Sequence, residues 1–468
     1  APEPVYLSIV DGMAELRPAG ELWGRSVPET DDALQGIAGQ TVTVAAIGPA
    51  GENRVRFAAI MNNKHRAAGR CGLGAVMGAK GVKAIACACV MPIDLAEPKA
   101  FHQKARRQYD LLDESILKVG FEAFGTNMVS DMVNVRGGYP TNNWQSGEFE
   151  EIDAVGAQGL TDAVFVEGVS CFACPVACGR GTEIREGKWQ GRRGEGPEYE
   201  SANSLGAMCG VSDMNAITMA NYLCNEYGLD TISSGSTIAF AMECYQRGIL
   251  TSEQTGGLAL TFGDGDLVVE LVQKIARREG IGDLLAEGSR AVAEQLGHDS
   301  MQFAMQVKGL ELPAYDPRAA KITGLGYVTA NRGGDHITGY VQGPTFIDVP
   351  FLLIEDSSIG DPFVADPEEV PVLVNLENAL TVMDAVGGCK FMGILLTAAD
   401  IAGLIAAATG WDFDEAEFRR CGERIYNLNR VCCVREGITS AQDKLPGRLM
   451  EEPLRSGPAA GMVIDQDT

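Results

Sequence analysis

Three cysteines stand within eight residues: Cys171-Phe172-Ala173-Cys174-Pro175-Val176-Ala177-Cys178, a C-x2-C-x3-C spacing. Thiolates this close on one loop suit an iron–sulfur cubane, whose irons take four thiolates at the corners of a small cube. The fourth must then come from elsewhere in the chain. Zinc is the competing metal, also four-coordinate and usually held by C-x2-C pairs, and no second C-x2-C occurs. Without a metal, the triplet reads as three buried free thiols. Cys432 and Cys433 are adjacent, a poor geometry for gripping one ion together. Cys87, Cys89, Cys209, Cys224, Cys244 and Cys421 read as core residues.

A second stretch, Arg66 to Lys80, sets Gly69, Gly72, Gly74 and Gly78 among the cations Arg66, Arg70 and Lys80. Glycines let the backbone approach an anion, and the cations pair with phosphate. The spacing is neither a Walker loop nor G-x-G-x-x-G in its usual register. It serves equally as a glycine-rich packing turn. Two further segments match each other: Asn225-Glu226-Tyr227-Gly228-Leu229-Asp230 and Asp384-Ala385-Val386-Gly387-Gly388-Cys389 both read (D/N)-x-x-G-x-(D/C). A carboxylate just past a helix can accept paired hydrogen bonds from an amide-like ring edge, such as a pterin presents. Both segments also read as ordinary helix C-caps at Gly228 and Gly387.

The elements that must position these groups divide the chain. Residues 1 to about 93 read as β-rich, with strands at 4–10, 41–47 and 82–90, and turns at Asp11-Gly12 and Gly48-Pro49-Ala50-Gly51. From Glu97 the pattern turns helical. Single helices are expected over 97–117, 212–225 (capped by Ser212 or Asp213), 232–247, 266–278 and 280–296. Stretches 312–318 and 361–371 read as loops, and the tail from Lys444 as lacking a strong element. The longest apolar run, Gly393 to Trp411, holds Thr397, Asp400 and Thr409 and reads as a buried helix, not a membrane span. The 468 residues suffice for roughly two to four domains. Lys+Arg 38 against Asp+Glu 63 gives a net charge of −25, which argues against binding a nucleic-acid backbone or an anionic membrane. Thirteen cysteines, an odd number in a long chain, point to a reducing compartment and hence the cytoplasm. No signal peptide opens the chain, and the start at Ala1 without a Met is that of a fragment or a processed product.

Taken together, the motifs resemble the tungsten-containing aldehyde:ferredoxin oxidoreductase family. The match runs through Gly-Pro-Ala-Gly-Glu-Asn at 48–53, the Arg66–Lys80 segment, the cysteine triplet and Glu195-Gly196-Pro197-Glu198-Tyr199-Glu200. It continues through both (D/N)-x-x-G-x-(D/C) turns, Lys308-Gly309-Leu310-Glu311 and Asn331-Arg332-Gly333-Gly334-Asp335-His336. The resemblance implies a tungsten (or molybdenum) bis-pterin beside one 4Fe–4S cluster, with magnesium bridging the pterin phosphates. It assigns Cys171, Cys174, Cys178 and Cys389 to the cluster. Arg66, Ala67, Gly69 and Arg70 fall to the pterin phosphates, with the Ala67 carbonyl facing the magnesium. Asn225, Asp230, Asp384 and Lys390 fall to the pterin rings. Asn225 replaces an Asp found in some members, keeping the acceptor oxygen and losing the charge. Glu200 and His336 match the acid/base pair, with Glu198 the alternative to Glu200.

The implied fold class is α+β. Residues 1–93 would be the remaining part of a β-rich pterin-covering domain. Residues 94–300 would form a helical domain with the cysteine triplet, and 301–468 a second with His336 and Cys389. The first half of the family's N-terminal domain and its last segment are expected to be missing. The subunit-bridging iron site finds no matching histidine among His65, His102, His298 and His336. The implied reaction takes an aldehyde and water to a carboxylic acid. Glu200 would accept a proton and His336 would donate to the developing oxyanion or orient a metal oxo group, each contributing roughly a hundredfold. Ferredoxin or a separate electron-transfer subunit would take the electrons, and a homodimer is compatible. An acidic chain repels an acidic ferredoxin, so a local basic patch is needed for direct transfer. Lys104, Arg106 and Arg107, or Arg192 and Arg193, are the candidates. The rival readings are an aryl-CoA reductase-like tungstoenzyme, a non-catalytic iron–sulfur electron carrier and a zinc-stabilised structural protein.

Overall fold

Val5–Val10 (β1) turns back at Asp11 and Gly12 into Met13–Pro18 (β2). Both turn residues take positive φ, 45° and 81°, which gives the twist a two-residue hairpin requires. The computed structural model describes residues 2–36 and 42–464, so the expected strand start at Thr41 lies outside the described residues. Thr43–Ala46 (β3), Ile60–Asn62 (β4), Arg66–Ala68 (β5) and Val82–Ala88 (β6) complete a six-stranded sheet of order β2-β1-β6-β3-β4-β5. Only the β1–β6 pair is parallel. One face buries Tyr6, Leu34, Val44, Ala46, Ala84 and Ala86 in a small core. The sheet's far edge is β5, which begins the glycine-rich stretch.

That stretch divides into β5, a turn and the Leu73–Ala79 helix. A Cβ on Gly74 would meet the Ala59 carbonyl oxygen at 2.4 Å, and one on Gly78 the Gly51 carbonyl oxygen at 1.9 Å. These two glycines let backbones pack and do not face an anion. Beside Gly69 the nearest atom is the Ala67 Cβ at 3.5 Å, so space remains there. The anion-approach role therefore narrows to the edge Arg66–Arg70.

The helices after residue 97 are mostly where the apolar periodicity puts them. Met214–Tyr227 is capped by Asp213, whose carboxylate accepts from the Asn215 and Ala216 amides, and ends at Gly228 with φ 71°. Thr231–Gln246 is buried on all sides. Three expected single helices are each broken. Ser115 accepts from the Leu117 amide and starts a new helix at Ile116–Phe124, separate from Pro98–Asp113. Gly288, at φ 80°, divides Ile281–Leu285 from Gly288–Leu296. A Thr397–Asp400 capping box restarts the chain after Met392–Leu395 as Ala398–Thr409. A side-chain cap at Ser115 and Thr397, and a positive φ at Gly288, outcompete continued periodicity. Around the 361–371 stretch, the Val370–Ala385 helix begins inside the expected loop. The tail carries one helical turn, Gly447–Glu451, anchored by Arg448 on the buried carboxylate of Glu243.

Cys209, Cys224 and Cys244 are buried as expected, but Cys89 is exposed and Cys87 and Cys421 are half-buried. A large core gathers Tyr199, Tyr315 and the long central helices. A second core gathers Tyr340, Leu373, Leu380 and Ile401 around Val370–Ala385 and Ala398–Thr409. The cavity described next lies between them. Among the described residues no helix is long and apolar enough to cross a membrane.

Candidate functional site

The cysteine triplet is the connection between strands Phe165–Val169 (β7) and Gly179–Glu183 (β8), which pair antiparallel. Ala173 and Ala177 take positive φ, 54° and 50°, so the loop coils tightly. Arg180, almost fully buried, donates to the carbonyls of Phe121, Glu122 and Ala123 and to that of Ala177. One guanidinium thus caps the Ile116–Phe124 helix and ties the loop to it. The Tyr109 hydroxyl donates to the Ala173 carbonyl at 2.6 Å, fixing the loop from the other side.

Cys389 reaches the same place from the turn after Val370–Ala385. Phe391 packs on Phe121 with ring centroids 4.8 Å apart, which joins that turn to the helix beneath the triplet. The four thiols act on one another. Burial, then Glu198, Cys389 and Cys171, push the Cys178 thiol up to about 12. Burial, then Cys174 and Cys171, raise Cys389 against the amides of Phe391 and Met392. Cys178 and Cys389, whose thiols resist ionisation, suit a cationic centre that accepts them as thiolates. Among the described residues no group of three or more His, Cys, Asp or Glu is placed to hold a single metal ion. Zinc would draw sulfurs to about 2.3 Å from one metal, whereas a cubane accepts them at separate corners.

Arg66 lies against the triplet. Its Nη2 donates to Glu195 at 2.9 Å, and a Cβ on Gly179 would meet that nitrogen at 2.3 Å. Ala67 is exposed on the β5 edge. Arg70 is turned inward, donating to Asp230 at 3.2 Å and to the carbonyls of Gly334 and Glu311 at 2.7 and 2.5 Å. Asp230 also caps the Ile232 amide and accepts from the Ser233 hydroxyl. The structure therefore brings these two together as a brace between the sheet edge and the core. Asn225 donates to the Glu195 carbonyl at 3.2 Å, leaving its oxygen available. Asp384 is 58% exposed and pairs with Lys390 at 2.9 Å, while Lys390 donates to the Ile337 carbonyl at 2.7 Å.

Glu200 lies in the first turn of Tyr199–Leu205, and His336 follows the polar run at 331–335. His336 Nε2 stands 3.6 Å from Glu200 Oε1. The other Glu200 oxygen accepts from the Ala314 amide at 2.9 Å. Oε1 and the His336 Nδ1 are buried without a hydrogen-bond partner. Burial pushes Glu200 up to about 8 and His336 down to about 3, so both favour their neutral forms. Glu198 accepts from the Thr126 hydroxyl at 2.6 Å, lies 3.9 Å from Arg66 and, like Glu200, lines the cavity beside them. Of the two carboxylates, Glu200 is the one with an unused oxygen toward the histidine. Pair and cavity coincide: Glu200 and His336 line a space of about 160 Å³ walled by Phe121, Tyr199, Tyr315, Tyr340, Phe391 and Ile394.

Sequence reasoning missed the supports. Asp335 is held ionised: burial opposes this, but Arg332, Arg70 and the Thr338 hydroxyl outweigh it. Glu195 gathers Arg66, Asn221 and Asn225. Their only signal was membership in the two polar runs at 195–200 and 331–336. The cavity tyrosines gave none, because buried aromatics read as core.

The family profile described as aldehyde ferredoxin oxidoreductase, domains 2 & 3, matches residues 103–468, and that of the N-terminal domain matches 1–89. The chain is 41% identical over 466 residues to a tungsten-containing aldehyde ferredoxin oxidoreductase of Thermococcus kodakarensis, covering 99% of this chain and 75% of that one. It is 32% identical over 495 residues to the aliphatic sulfonate oxidoreductase, WOR-like subunit, of Pyrococcus furiosus, covering 100% and 74%. Among solved structures, the active-site complex BamBC of benzoyl coenzyme A reductase shares the fold. Its TM-score is 0.79 at 23% identity, covering 95% of this chain and 74% of that one.

Proposed function

The chain belongs to the aldehyde ferredoxin oxidoreductase family, and on that premise we propose that it oxidises an aldehyde to a carboxylic acid at a tungsten (or molybdenum) bis-pterin, its electrons leaving through one 4Fe–4S cluster. The supporting observation is that the Glu200–His336 cavity and two of the cysteines, Cys174 and Cys178, share the Phe121–Phe391 ring pair as a wall. Proton chemistry and a thiolate set for electron transfer are thereby adjacent.

Cys171, Cys174, Cys178 and Cys389 would hold the cluster. Arg66, Ala67 and Gly69 offer an open edge for pterin phosphates and magnesium, and Asn225, Asp384 and Lys390 offer polar groups for the rings. Arg70 and Asp230 already satisfy each other and would serve by bracing that edge. When bound, the metal–pterin centre supplies two-electron oxidation and the cluster single-electron transfer.

Aldehyde plus water gives the acid, two protons and two electrons, so the chain must supply a proton acceptor. With its carboxyl pushed up to about 8, Glu200 keeps a minor ionised fraction at neutrality that can take the water's proton. Neutral His336 can donate its N–H to the carbonyl oxygen and relay a proton across the 3.6 Å to Glu200. The aromatic walls limit bulk water. Ferredoxin or a separate electron-transfer subunit is the proposed acceptor, and the thirteen unpaired thiols support a cytoplasmic setting.

The test is anaerobic turnover of the metal-loaded protein with an aldehyde and, separately, an aromatic CoA thioester, using a viologen dye as electron partner. Aldehyde-dependent dye reduction supports the reading. Reaction with the thioester alone would favour an aryl-CoA reductase instead.

A further inference from the structure

Oxidation of an aldehyde by water releases two protons with its two electrons, and Glu200 accounts for one of them. In the balanced step one water O–H bond and the aldehyde C–H bond break and a C–O bond forms. Both electrons leave through the redox centres, and the cavity must hold a second proton acceptor. Its titratable lining is Glu198, Glu200, His336, Tyr199, Tyr315 and Tyr340. His336 is pushed down to about 3 and sheds any proton it gains at neutrality. Burial pushes all three tyrosine hydroxyls up, so none is a phenolate that could accept. Glu198 is the group left.

The local structure frees this carboxylate. Glu198 is the N-cap residue of Tyr199–Leu205, yet its side chain caps nothing. The Thr126 hydroxyl takes over the cap, accepting from the Tyr199 amide at 2.9 Å while it donates to Glu198 Oε2 at 2.6 Å. Among the described residues no donor bonds the other oxygen. Arg66 Nη1 stands 3.9 Å from it, and that guanidinium is committed through Nη2 to Glu195 at 2.9 Å. Burial raises the Glu198 carboxyl above its ordinary range and Glu195 adds to the rise, while Thr126, Arg66 and Arg180 favour the charged form. A group balanced in this way can take a proton and give it back. Its side chain is 36% exposed against 14% for Glu200, so it is the outward member of the two.

We propose that Glu198 is the second proton acceptor of the reaction and the group through which protons leave the cavity. The proposal rests on the aldehyde-oxidation reading. Glu200 takes the water's proton, and the proton from the C–H carbon passes through cavity water to Glu198 and on to bulk solvent. Glu200 then empties by the same route. Its O–H bond breaks, a water O–H bond forms, and that water gives another of its protons to the Glu198 carboxylate. No electron moves in these transfers. A space of about 160 Å³ has room for such water, and the unpartnered Glu200 Oε1 and His336 Nδ1 anchor it.

The experiment uses the metal-loaded enzyme under anaerobic conditions, with an aldehyde as donor and benzyl viologen as electron partner. Glu198→Gln should lower kcat about tenfold and leave KM within about twofold of the parent's. Imidazole, a small base that can carry protons in place of the carboxylate, should restore at least about half of the lost rate and leave the parent unchanged. The solvent deuterium isotope effect on kcat should be larger in the variant and shrink when imidazole is added. Glu198→Asp keeps a carboxylate one methylene short. It should lose about threefold in kcat, again relieved by imidazole, and it carries the test if the amide variant fails to retain iron and tungsten. An unchanged kcat, or a loss that imidazole does not relieve, would overturn the proposal, because a merely structural carboxylate is not replaced by a dissolved base. Absence of aldehyde-linked turnover in the parent would instead contradict the aldehyde-oxidation reading, and the second acceptor with it.

Discussion

At the scale of single residues, the account turns on Glu200. A carboxyl that titrates near 8 in the folded chain makes two distinct predictions. If its ionised form is the base, kcat/KM for the aldehyde rises with pH and levels off above about 8. Glu200→Gln should lower kcat by roughly a hundredfold or more while iron and tungsten contents hold. The second prediction concerns stability of the metal-free chain. Unfolded, the carboxyl titrates near its ordinary value of about 4.3. Between that pH and 8 the folded state keeps a proton that the unfolded state has lost, so stability falls as pH rises through this window and is flat above it. Glu200→Gln removes the slope, and thermal melts at pH 8 should show the variant more stable than its parent by about 1 kcal/mol or more. The cysteine triplet was legible in the sequence because its spacing is chemically restrictive. Glu200 was not separable from Glu198, because both lie in one short polar run. Only the fold turns one toward Thr126 and the other toward His336.

At the scale of elements, the site depends on how segments are tied. Arg180→Met would strip four carbonyls of their buried cation and free the cysteine loop from the Ile116–Phe124 helix. A cost of about 2–4 kcal/mol in chemical denaturation is expected, together with loss of visible-band absorbance from the bound cluster. Gly78→Ala would press a methyl onto the Gly51 carbonyl and should cost about 1–3 kcal/mol with no effect on the cluster spectrum. Strands and long helices were readable from alternation and apolar stripes. The breaks at Ser115, Gly288 and Thr397 were not, because apolar residues continue across them while the decisive event is one side-chain cap or one positive φ. The glycine-rich segment misled in a similar way. Glycines that admit an anion and glycines that admit a neighbouring backbone look alike until the neighbour is known.

At the scale of the whole molecule, two cores meet at the cavity, and residues from positions 117 to 394 converge there. Convergence over such distances is not encoded in local pattern, so the fourth cysteine and the histidine could be assigned only through resemblance to a family. The net charge of −25 was legible at once. The central claim is that a single chain holds both a pterin-bound metal and a cubane cluster. Elemental analysis of protein purified without oxygen, with its visible spectrum, tests this most directly. The account predicts tungsten or molybdenum together with about four irons per chain and a broad visible absorbance. Zinc in a colourless protein, or iron with neither tungsten nor molybdenum, would contradict it.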